Sequence, residues 1–105
     1  MDKNLQYTAM EKLINSLVKP EFDKIIEKVR VVPPSEKPAR GINDRARVKV
    51  YLTPNLLHYV SVENSSGVVF ENIEDLTNAI DWKITDSLKF IGSPRYWIEF
   101  IQIQP

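Results

Sequence analysis

The chain predicts an α+β fold: a kinked amino-terminal helical segment packed on a strongly bent, five-stranded antiparallel sheet that approaches a small barrel. Three observations carry this expectation. Residues 4–31 space their apolar side chains three and four apart, the pattern of a helix with one apolar stripe. Residues 45–70 alternate apolar and polar positions between turn residues, as half-buried strands do. Residues 95–103, RYWIEFIQI, are largely apolar on both faces when extended, so protein is expected on each side of them. An open two-layer α/β sandwich with both helices on one face is the alternative.

A length of 105 residues fits one domain. Within it, residues 1–31 form the helical segment, 32–44 a proline-rich connector, and 45–105 the β-rich core. The 14 basic residues balance 14 acidic ones, for a formal net charge of zero. That excludes coating of nucleic acid by bulk electrostatics and leaves room for a local basic patch. The absence of cysteine removes disulfides, thiolate chemistry and the usual zinc clusters. The opening MDKNLQYTAM is too polar for a secretory signal, and no apolar run approaches about 20 residues. A cytoplasmic protein with no membrane partner is expected.

In chain order, the first stripe comprises Leu5, Met10, Leu13, Ile14, Leu17, Val18, Phe22, Ile25, Ile26 and Val29. Pro20 should break or kink this helix and open a second helical piece. Pro33, Pro34, Pro38 and Gly41 make the following connector extended. In residues 45–53, Ala46, Val48, Val50 and Leu52 face one way, and Arg45, Arg47, Lys49, Tyr51 and Thr53 the other. Pro54-Asn55 supplies a turn, 56–63 a second strand, Asn64–Gly67 a further turn, and 68–70 a short third strand. Asn72 reads as a helix N-cap with Asp75 three residues on. A short helix over 73–80 then precedes a strand over 82–90. A single longer helix reaching Ile91 also fits the spacing, but it leaves Trp82 and Phe90 on its outer side, so helix-then-strand is preferred. Gly92-Ser93-Pro94 would join the last two strands in a tight hairpin turn.

Catalytic signatures are missing. His58, the only histidine, would need a carboxylate such as Glu63 beside it to act as a base. No HExxH, phosphate-cradling glycine loop or paired-carboxylate spacing occurs. The acidic residues Glu71, Glu74, Asp75, Asp81 and Asp86 read as a solvated face and helix-dipole partners rather than a metal site. No cofactor, metal or small-molecule substrate is indicated. One electrostatic feature remains. Lys37, Arg40, Arg45, Arg47 and Lys49 against Glu36 and Asp44 leave a local excess of 5 − 2 = +3. Alternating cations beside an aromatic such as Tyr51 can bind phosphates and stack bases.

The strand order over residues 46–103 resembles that of the Sm-like (LSm) small barrels. VKVYLTPNLLHYVSVENSSGVVFE looks like the first motif of that family, and KFIGSPRYWIEFI like the second. The resemblance implies RNA binding by rings of subunits. At the positions matching the family's functional residues stand Glu63, Gly67 and Ile91, where the family has aspartate, asparagine and arginine. The expected function is therefore a nonenzymatic module binding single-stranded RNA as a homo-oligomer. Its candidate residues are Arg45, Arg47 and Lys49 on the strand, Asn64, Ser65, Ser66 and Gly67 in one turn, and Gly92, Ser93 and Arg95 in the other. The alternative is a structural or protein-interaction subunit without nucleic acid.

Overall fold

A computed structural model describes residues 3–34, 45–54, 61–89 and 95–104. The first element is helix α1, Lys3–Phe22, which runs through Pro20. Met10, Ile14, Val18 and Phe22, four apart, form its buried stripe. Glu11, Asn15 and Lys19 form a polar stripe one position further along. The helix ends in a tight turn, with the Ile25 N–H donating to the Phe22 carbonyl (2.9 Å).

Strand β1, Ile26–Val32, takes the place of the expected helical continuation to residue 31. Ile26 and Val29 are both buried although three residues apart, because the register shifts between Ile26 and Lys28. A bulge adds one residue to a strand, so a period of two imitates a helical step of three. The β-branched Ile25, Ile26, Val29, Val31 and Val32 favour the extended state.

Strand β2, Ala46–Leu52, follows the expected alternation, with Ala46, Val48, Val50 and Leu52 buried. It is the central strand of three, antiparallel to β1 and parallel to the last strand. Short strands β3, Val62–Glu63, and β4, Val69–Phe70, pair separately as an antiparallel hairpin. Its turn is held by Asn64, which is buried. The Asn64 Oδ1 accepts from the N–H groups of Ser66 and Val68, each at 3.0 Å. Gly67 sits at φ +85°, where a side chain is strained.

Helix α2, Ile73–Leu88, replaces the expected short helix and strand. The Asn72 Oδ1 caps it by accepting from the Asp75 N–H at 2.8 Å. Leu76, Ile80, Ile84 and Leu88, four apart, are all buried, while Trp82 is 69% exposed. Burying four aliphatic side chains outweighs leaving one indole in water, since each contributes roughly 1.5–3 kcal/mol.

With α2 between them, β2 and strand β5, Tyr96–Gln102, run parallel. Parallel pairing needs a long crossover, which the β3–β4 hairpin and α2 supply. The expected five-stranded antiparallel barrel is thus not what the described strands form: they make one mixed sheet of three and one pair. Residues 55–60 and 90–94, which hold His58 and the Gly92-Ser93-Pro94 turn, lie outside the described residues.

Both helices share one core with the buried side of β1 and β2, as in the alternative two-layer arrangement. The hairpin joins that layer. Phe70 packs on Phe22 with ring centroids 6.2 Å apart, and the Ser65 N–H donates to the Glu21 carbonyl (2.7 Å); the two helices are themselves joined by the Lys83–Glu21 ion pair (2.9 Å).

Candidate nucleic-acid interface

Because paired residues share a face of a sheet, the register fixes what lies opposite the helices. From β1 come Lys28, Arg30 and Val32, paired with Tyr51, Lys49 and Arg47 of β2. From β5 come Trp97, Glu99 and Ile101, paired with the same three β2 residues. Among the described residues neither helix nor the hairpin packs on this side; all three belong to the other face. It presents the cations Lys28, Arg30, Arg47 and Lys49, the carboxylate of Glu99, and the rings of Tyr51 and Trp97.

These side chains are already organised. The Lys28 ammonium lies 5.0 Å from the centre of the Tyr51 ring, a cation–π distance. The Trp97 Nε1–H donates to Glu99 Oε1 at 3.2 Å, which orients the indole along the strand. At one end of the face Val32, Pro33, Pro34, Arg45, Arg47, Trp97 and Glu99 line a cleft of ≈ 380 Å³. Two guanidinium groups beside an indole and a carboxylate offer contacts to phosphate, to a base plane and to a base edge. A second cleft, ≈ 390 Å³, opens between the end of α1 and the β3–β4 hairpin, lined by Glu21, Phe22, Lys24, Ile25, Glu63, Asn64 and Ser65.

The structure divides the candidate residues. Arg45, Arg47 and Lys49 fall at this face, joined by Lys28, Arg30, Tyr51 and Trp97. Arg95 immediately precedes β5, its carbonyl accepting from the Ala46 N–H at 2.9 Å. Asn64, Ser65, Ser66 and Gly67 belong to the helix layer and sit by the end of α1. There the Asn64 side chain serves the turn. Gly92 and Ser93 lie outside the described residues. Lys28 and Arg30 escape a sequence reading that takes 26–31 as helix; the alternation Lys28, Arg30, Val32 against Val29, Val31 is the signal that finds them.

Among the described residues no group of three or more His, Cys, Asp or Glu side chains could hold a metal ion. No described helix is long and apolar enough to cross a membrane. No protein-family model matches the chain, and no significantly similar curated protein or solved structure was found.

Proposed function

We propose that the protein is a nonenzymatic cytoplasmic module that binds single-stranded RNA on the helix-free face of its sheet. The observation that supports this is the clustering of Lys28, Arg30, Arg47 and Lys49 around Tyr51 and Trp97 on a face that no described helix or hairpin covers. Cations along a groove neutralise the backbone, and aromatic planes accept bases without needing a particular sequence. A zero net charge is compatible with this, because four cations share one face of the sheet. The Sm-like resemblance does not carry the proposal: it implied a strand over 82–90 turning back into the last one, whereas helix α2 occupies 73–88 and β5 runs parallel to β2.

Titration of short single-stranded RNA at several salt concentrations tests the reading. Affinity should fall with salt, with a log–log slope of about −0.7 per phosphate contacted. Replacing both Arg47 and Lys49 by Ala should flatten that slope, and Trp97→Ala should weaken binding by about 1–3 kcal/mol through lost stacking. Salt-independent or undetectable binding at micromolar protein would remove the proposal and leave the second reading, an assembly subunit without nucleic acid. The open edge of β5 supports that second reading.

A further inference from the structure

The free edge of β5 has the properties of a docking strand, and we infer that its occupant is the same strand of a second copy of this chain, added antiparallel about a two-fold axis. The inference stands whether or not the sheet face binds RNA.

Its first support is the direction of the backbone groups. The Ala46 N–H donates to the Arg95 carbonyl, and the Ile103 N–H to the Leu52 carbonyl. In a parallel ladder alternate residues bond to the same neighbour, so Trp97, Glu99 and Ile101 turn their backbone groups toward β2. Those of Tyr96, Ile98 and Phe100 therefore point to the free edge. No hydrogen bond from another described element meets them. An edge strand is ordinarily protected by charges, proline, a bulge or a covering element. β5, YWIEFIQ, has a single charge, no proline and an unbroken register with β2.

The second support is half-finished burial. Tyr96, Ile98 and Phe100 face the helix layer and pack against the core, yet each is only partly buried. The side chains of another β5 strand would extend that core past the present edge.

The third support, which selects a second copy over an unrelated strand, is self-complementarity. An isologous pair needs a register in which residue i meets j and j meets i. Placing the axis at Ile98 sets Ile98 opposite its twin and Tyr96 opposite Phe100 on the helix side. All three are residues whose N–H and C=O point outward, so the backbone bonds close as well. On the other face it sets Trp97 opposite Glu99, a pairing the chain already makes within one strand through the Trp97 Nε1–H. Arg95 then lies diagonal to Glu99. Shifting the axis to Glu99 would oppose two carboxylates, which is unfavourable in a cross-strand pair. The result is a six-stranded sheet with both helix layers on one side.

Light scattering and sedimentation of the full chain without RNA, across the micromolar to millimolar range, test the inference. A dimer is expected. Ile98→Pro removes an N–H that points away from β2, so the chain should stay folded by circular dichroism and become monomeric. Should that variant unfold, charge placement decides instead. Trp97→Glu sets like charges opposite each other across the axis and should dissociate the dimer, and adding Glu99→Lys to it should restore the dimer. A monomeric wild type, a ring or larger assembly, a folded Ile98→Pro variant that still dimerises, or a Trp97→Glu/Glu99→Lys protein that stays monomeric would overturn the inference.

Discussion

Strands β1 and β5 border the same sheet, each is seven residues long, and each pairs with β2 on one side only. Their outer edges are nevertheless opposites. Along β1 the polar stripe of α1 takes the place of a fourth strand. Asn15 accepts from the Val29 N–H (3.1 Å) and donates to the Val29 carbonyl (2.9 Å). Glu11 accepts from the Val31 N–H (2.8 Å), and the Lys19 ammonium donates to the carbonyls of Ile26 and Glu27 (3.1 and 2.9 Å). The N–H groups of Val29 and Val31 and the carbonyls of Ile26, Glu27 and Val29 are therefore met by helix side chains. Along β5 the corresponding groups meet no described element. The difference teaches that the charges and the bulge of β1 are joined by a covering helix, whereas β5 has a single charge and no described cover.

The largest expected effect concerns burial at the two borders. Ile26→Ala, at a fully buried position of β1, should cost about 2–5 kcal/mol of unfolding free energy. Ile98→Ala, measured by urea denaturation at a concentration low enough for the isolated chain, should cost clearly less because its side chain is only partly buried. Equal costs would mean that β5 is as well covered as β1, and the comparison would fail.

A smaller effect isolates the edge itself. Asn15→Ala strips partners from both the N–H and the C=O of Val29 and should destabilise the fold by about 1–3 kcal/mol. A change within the error of the denaturation midpoint would show that water serves that edge equally well. Smallest of all is Glu11→Gln, which keeps an oxygen for the Val31 N–H and loses only the charge. It should cost about 0.5–1 kcal/mol, with Glu11→Ala costing more; the reverse order would remove the hydrogen bond from the account.

The legible parts of this chain are those in which a single period dominates. β2 alternates without interruption from Ala46 to Leu52, and its basic face with Arg47 and Lys49 was readable together with Tyr51. The Asn72 cap and the Asn64–Gly67 turn were readable because each depends on side chains a few residues away. Elsewhere one spacing served two structures. Ile26 and Val29 step like a helix because a bulge lies between them. Ile84 and Leu88 suit a strand or a helix equally, and the choice fell to the helix when Trp82 could remain in water. The candidate face lost Lys28 and Arg30 to the first ambiguity, and gained them only when β1 paired with β2.

Local patterning thus established an α+β chain with an amphipathic first helix, a central alternating strand and a capped second helix, because these rest on interactions between near neighbours. Long-range packing decided the rest: that β5 joins β2 in parallel, that one face carries both helices, and that α1 closes one border of the sheet. Each of those outcomes depends on backbone groups and side chains distant in sequence finding partners, and no spacing along the chain encodes such a meeting.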